Sequence, residues 1–190
     1  MSAFEHVIVL LSFVYALALT HLLSNVAYLI RAGSRVRFSW IHAGWMLIAL
    51  LTVVANWIGF WDMRSLASWS VGTIMFTLAM AIANYLQAAL VCAEVPETGP
   101  VDLVAFHAQQ GHRYIGAYAV SVVFALCANV VYGSAFNLVE WSEQDLVVIP
   151  MLLVSIPAAI FLSRRVQIFA LGCLGILWGT YFLELQQALH

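Results

Sequence analysis

The chain has 190 residues, of which 64% are hydrophobic and only 8% charged, and its mean hydropathy is +0.97. A soluble domain of this size is about a quarter charged and about half apolar, so the composition excludes a water-facing globular fold. Runs of ~20 apolar residues read as membrane spans, and six of them use about 120 residues. The remainder supplies only connections, which excludes a separate soluble catalytic domain.

The predicted fold is all-α: one polytopic transmembrane bundle over residues 1–190 with six spans, at about 7–30, 40–61, 69–91, 114–136, 146–162 and 166–187. The first span opens like a signal peptide, with Ala16-Leu17-Ala18 after an apolar run. No Lys or Arg precedes it and the run continues to Ile30, so it reads as an uncleaved span. Trp40, Trp61, Trp69 and Trp141 fall at span ends, where an amphipathic ring favours the headgroup layer. The third loop, 92–113, is the longest. Its start holds Pro96, Gly99 and Pro100, and Asp102 is placed to cap a short interfacial helix carrying Leu103, Val104, Phe106 and His107. This loop is the expected site for a protein partner. The fifth loop is nearly all Ser163-Arg164-Arg165, so the last two spans form a tight hairpin. Pro157, read as mid-span in the fifth segment, is the expected kink.

All seven basic residues are arginine and the net charge is −2. With no basic run, nucleic acid is not an expected partner. Arg31, Arg35 and Arg37 lie in loop one, Arg113 in loop three, and Arg164 and Arg165 in loop five. Only Arg64 lies in loop two, and loop four carries Glu140, Glu143 and Asp145 without an arginine. Basic residues stay cytoplasmic, so loops one, three and five face the cytoplasm and both termini face outward.

Polar side chains inside hydrocarbon cost free energy unless they find partners. Ser24-Asn25, Ala55-Asn56, Ala83-Asn84 and Ala128-Asn129 repeat one pattern, a small residue followed by an amide. The small residue admits a neighbouring helix and the amide bonds across the gap, for roughly 0.6–2 kcal/mol each. Counted along the helices, His21, Asn25, Asn84 and Gln87 share the inner half, with His21 and Asn25 at i,i+4 on one face. Asn56, Asn129 and Glu184 belong to the outer half. These seven are the pathway or binding candidates, with His21 the protonatable group, and interhelical glue is the competing reading. Gly172, Gly175 and Gly179 make a smooth face on the sixth span, either an intramolecular contact or a homodimer seam. His42, His107 and His112, with His21, place four histidines toward the cytoplasmic side and raise haem as a cofactor, although none has ligand spacing. No metal site is expected. The cysteines Cys92, Cys127 and Cys173 are widely separated and odd in number, which points to packing rather than a disulfide. No hydrolase, phosphate-loop or zinc-protease motif is present.

Two short similarities suggest an internal repeat. Ser24-Asn25-Val26-Ala27-Tyr28 matches Ala128-Asn129-Val130-Val131-Tyr132, and Tyr85-Leu86-Gln87-Ala88-Ala89-Leu90 matches Leu185-Gln186-Gln187-Ala188-Leu189. Three spans per half would make an inverted repeat.

Phe4-Glu5-His6-Val7, Leu19-Thr20-His21-Leu22-Leu23 and Leu29-Ile30-Arg31, followed by Asn56-Trp57-Ile58-Gly59-Phe60-Trp61 and Tyr85-Leu86-Gln87-Ala88-Ala89-Leu90, resemble a group of small bacterial polytopic inner-membrane proteins with no assigned activity. The resemblance covers about the first half of the chain. It implies a bacterial inner-membrane protein of about six spans and brings no site residue with it. Three functions follow as expectations: transport or sensing of a solute or proton, with membrane lipid and a second copy as partners; a scaffold whose polar residues only pack helices; and a haem redox protein.

Overall fold

The computed structural model describes residues 3–65, 69–135 and 143–188. Six helices account for nearly all of them: α1 (Ala3–Ala32), α2 (Trp40–Gly59), α3 (Val71–Val91), α4 (Leu103–Ala135), α5 (Glu143–Ile160) and α6 (Arg164–Ala188). In a medium without water every backbone polar group must be satisfied internally, and an apolar run does this by coiling into a helix. Five of the six, all but α5, are long and apolar enough to cross a membrane. The apolar part of α5, Leu146–Ile160, spans only ~22 Å at ~1.5 Å per residue, short of a ~30 Å hydrocarbon core. Pro157 lies near the C-terminal end of α5, three residues before Ile160, so the proline nearer mid-helix is Pro150.

Helix directions follow from side-chain pairings. Asn84 of α3 bonds Tyr15 of α1, and Asn25 of α1 bonds the carbonyl of Ala93 just past α3. The offset is nearly constant along the pair, so α1 and α3 run parallel. Tyr15 also meets Phe60 edge-on, while Leu22 and Leu50 line one groove, so α2 returns antiparallel. His42 packs on Phe106 and Trp45 on Tyr118, which makes α2 and α4 parallel. Thr77 bonds Tyr132, and residues 89 and 109 line one recess, so α3 and α4 are antiparallel. The core runs between these helices and includes Leu11, Tyr15, Trp45, Val53, Tyr118 and Leu174.

Two connections depart from the sequence reading. Loop three does not contain a separate interfacial helix: one continuous helix runs from Leu103 through 135. Gly111, where a break is cheapest, is instead a point of close approach. A Cβ there would lie 2.8 Å from Leu162 Cδ2. Loops one and three are also joined. The two-residue strands β1 (Val36–Arg37) and β2 (Val101–Asp102) pair in parallel, Val36 with Val101 and Arg37 with Asp102. Two glycines set the turns that allow this: Gly33 leaves α1 at φ +53° and Gly99 sits at φ +101°, both in the region that disfavours a Cβ.

Candidate functional site

The arginine-bearing end holds the densest polar construction. Arg35 donates from Nη1 to the carbonyls of Pro96 (3.2 Å) and Gly99 (3.0 Å). Arg37 donates to Asp102 at 2.9 Å, and the pair stays largely exposed. Asp102 also starts α4, its Oδ1 accepting from the amides of Val104 and Ala105 at 2.9 Å each. Those bonds favour the charged form. The Ala105 amide first, and Arg37 after it, hold the Asp102 carboxyl below the ordinary carboxylate value.

Next to this clamp, Ser39 caps α2, its Oγ accepting from the His42 amide at 3.3 Å. The cap places His42 in the first helical turn with its ring turned into the bundle, where it is completely buried. Phe106 meets it edge-on at 5.2 Å and Tyr114 at 6.0 Å. The Tyr114 hydroxyl hydrogen-bonds His107 Nδ1. Both ring nitrogens of His42 and Nε2 of His107 are buried without a protein partner. One turn along α2, Trp45 donates from Nε1 to Gln167 Oε1 at 2.8 Å, and Gln167 Nε2 donates to the carbonyls of Ala158 (2.7 Å) and Phe161 (3.0 Å). Ala158 lies in the last turn of α5, where carbonyls lack intrahelical partners. Gln167 therefore closes α5 while fastening α6 to α2.

On its other side His42 backs onto an apolar groove of about 500 Å³ between α1 and α2. Leu22, Val26, Ile30, Ala43, Met46 and Leu47 line most of it, with Gly33, Val36 and Phe38 at its mouth. Several of these side chains are also exposed on the bundle surface, so the groove opens sideways.

The residues singled out from the sequence divide among separate places. Asn25 and Asn84 lie on the α1–α3 seam. Asn25 Nδ2 donates to Ala93 O (2.6 Å), and Asn84 Nδ2 donates to Tyr15 Oη (3.1 Å) and Met80 O (3.0 Å). Gln87 is buried about one turn further along α3, and the side-chain oxygens of all three amides are buried without a protein partner. His21 does not join them. Its side chain is exposed on the outward face of α1, although Asn25 one turn later is buried. Asn56 turns back to the carbonyl of Thr52 (2.9 Å) and lines a separate cavity of about 50 Å³ with Tyr118, Ser121 and Trp178. That volume admits water. The Asn129 side chain lies outside the described residues. Glu184 is partly exposed near the far end of α6, with Oε2 buried. Of the three haem candidates, His42 and His107 meet at Tyr114 and His112 is exposed. A Cβ at Gly172, Gly175 or Gly179 would meet nothing within 4 Å, so that face points out of the bundle rather than into an intramolecular contact.

Trp45, Tyr114, Tyr118 and Gln167 carry no comparable mark in the sequence. The only signal was a glutamine near the start of an apolar segment, Arg165-Val166-Gln167-Ile168, a place where an interfacial polar residue is unremarkable. Among the described residues no group of three or more His, Cys, Asp or Glu is arranged to hold a metal ion. Compared with known family models, curated proteins and solved structures, the chain matches none.

Proposed function

We propose that the chain is an integral membrane protein of the sensing class, which takes a lipid-phase molecule into the α1–α2 groove. The observation that carries this is the groove itself. It is apolar, about 500 Å³, open on the side that faces hydrocarbon, and closed at the back by His42. Ligand sites are concave, mostly apolar and bounded by a few placed polar groups. A buried polar atom without a partner costs about 1–3 kcal/mol. The cluster at His42 is thus held by the rest of the fold and sits where occupancy of the groove shifts the packing of α2 on α4. In this reading α5 is the sixth span despite its short apolar part, because all 18 of its residues together reach ~27 Å at ~1.5 Å per residue. The 3+3 inverted repeat belongs to the same reading and is supported by α4 running opposite to α1. The arginine-bearing end faces the cytoplasm of a bacterial inner membrane.

The test fills the groove. Leu47 lines it and is 54% exposed, so Leu47→Trp adds bulk without entering the core. Native mass spectrometry of the purified protein is expected to show retained lipid on the parent and loss of it on the variant, with an unchanged melting temperature. Equal lipid retention by the two proteins overturns the reading.

A second reading, a scaffold whose amides hold helices together, is favoured by the Asn25 and Asn84 bonds across the α1–α3 seam. It predicts that Asn84→Ala lowers stability by about 1 kcal/mol and leaves lipid retention unchanged.

A further inference from the structure

A second cavity lies inside the bundle, apart from the α1–α2 groove, and residues of α2, α4, α5 and α6 bound it. It exists because side chains are small where these helices meet. Ala55 of α2 stands opposite Ser121 and Ala125, which share a face of α4 one turn apart, and about 50 Å³ is left between the helices. A water molecule takes about 30 Å³ in the liquid, so the space suits one or two molecules of that size. Counted from Trp40 and Arg164 at the arginine-bearing end, Thr52 lies ~18 Å and Trp178 ~21 Å along their helices at ~1.5 Å per residue. Both depths fall inside a hydrocarbon core of ~30 Å.

The cavity wall is polar where hydrocarbon would leave it dry. Tyr118 is completely buried and Trp178 is 5% exposed, and both line the space. Neither the Tyr118 hydroxyl nor the Trp178 indole N–H has a hydrogen-bond partner in the protein. The two groups are neighbours, but outside hydrogen-bond geometry. The hydroxyls on the same wall have already placed their protons. Ser121 Oγ donates to Ala117 O at 3.1 Å and Thr52 Oγ1 donates to Ile48 O at 2.7 Å, and each oxygen keeps lone pairs for a further bond. The site therefore offers two protons and two acceptor oxygens. Among the described residues no charged side chain lines it, so an ion would give up its hydration without a counter-charge. A small neutral molecule that both accepts and donates matches this set. Asn56, Ala125 and Tyr181 on the cavity rim are half-buried. Toward the arginine-bearing end Trp45 packs on Tyr118, with ring centroids 5.9 Å apart, and bonds Gln167.

We infer that this cavity is a water site within the membrane. One or two water molecules accept from Tyr118 Oη and Trp178 Nε1 and donate to Ser121 Oγ and Thr52 Oγ1. Water thereby joins α2, α4 and α6 where no direct side-chain bond does, completing hydrogen bonds that buried polar groups require.

The experiment uses the full chain with isotope-labelled tryptophan in liposomes. Water-edited solid-state NMR reads magnetisation transfer from water to each indole N–H. Trp178→Phe and Trp45→Phe identify the two resonances of interest. Trp45 is the dry control, being 2% exposed with its N–H bonded to Gln167. The Trp178 indole is expected to receive magnetisation at mixing times at which the Trp45 indole receives none. Ser121→Val and Ala125→Val each add bulk to the wall and are expected to abolish the transfer to Trp178. A melting curve accompanies both. Ala125→Val removes no polar group and carries the test by itself if Ser121→Val loosens the fold. A Trp178 indole as dry as that of Trp45 overturns the inference. Transfer to Trp178 that persists in the folded, filled variants overturns it too, because the water then lies elsewhere.

Discussion

Gln167 offers the sharpest test of how the bundle is held. Its side chain makes three hydrogen bonds to two other elements: it accepts from Trp45 Nε1 and donates to Ala158 O and Phe161 O. Gln167→Leu keeps the approximate size and removes all three. Trp45 is 2% exposed and Ala158 is completely buried, so neither the indole N–H nor the Ala158 carbonyl can turn to water. Phe161 lies in the exposed turn before α6, and its carbonyl regains a partner there. Two stranded groups at about 1–3 kcal/mol each, offset by the more apolar side chain, give a loss of about 2–5 kcal/mol. Trp45→Phe removes one of the three bonds and is expected to cost about 1–2 kcal/mol. The double variant should fall short of the sum by about 1 kcal/mol, the range for cross-helix bonds in membranes. Unfolding in mixed micelles with increasing SDS, followed by far-UV circular dichroism, measures all four proteins. If Gln167→Leu is as stable as the parent within ~0.5 kcal/mol, or if the two substitutions are strictly additive, Gln167 does not fasten α2, α5 and α6.

Two further outcomes are expected. Gly175→Ala meets nothing within 4 Å and should stabilise the monomer by up to ~1 kcal/mol through helix propensity. Gly44→Ala brings its Cβ to 2.8 Å from Leu171 Cδ1, so the same gain is cancelled or reversed. Identical melting shifts for the two would contradict the packing of α2 on α6. The Asp102 carboxyl is held below the 3.8 of a free aspartate. Its support for the α4 start is complete above that value and is lost as the pH falls through the lower, folded value. Hydrogen-exchange protection at Val104 and Ala105 should therefore be equal at pH 7 and 5 and decline below pH ~4. Asp102→Asn should lower it at neutral pH, and unchanged protection in that variant would refute the role of the carboxylate.

Much of the architecture was legible from charge and hydropathy because hydrocarbon permits so few solutions. Apolar runs became helices, and the arginines of loops one, three and five came together at one end of an alternating bundle. What stayed illegible was which side of each helix faces its neighbours. In water the buried face is the apolar one. In a bilayer the outward face is just as apolar, as exposed Phe13, Leu17 and Ile30 on α1 show beside buried Leu11, Leu22 and Val7, so the pattern loses its contrast. His21 and Asn25 sit about 40° apart on the helix, near enough to be read as one face, yet the boundary between lipid and protein falls between them. The importance of Gln167, Tyr114 and His42 was hidden for a related reason. Their partners lie on other helices, far away in the chain, and only the packing of α2, α4, α5 and α6 brings those atoms within hydrogen-bond or ring-contact distance. Composition was enough to decide that this chain forms helices suited to a membrane and which ends carry its positive charge. The groove, the stapled core and the open glycine face were decided by tertiary packing alone, because in a lipid-like medium it is close fit and buried hydrogen bonds, not hydrophobicity, that choose which helix faces meet.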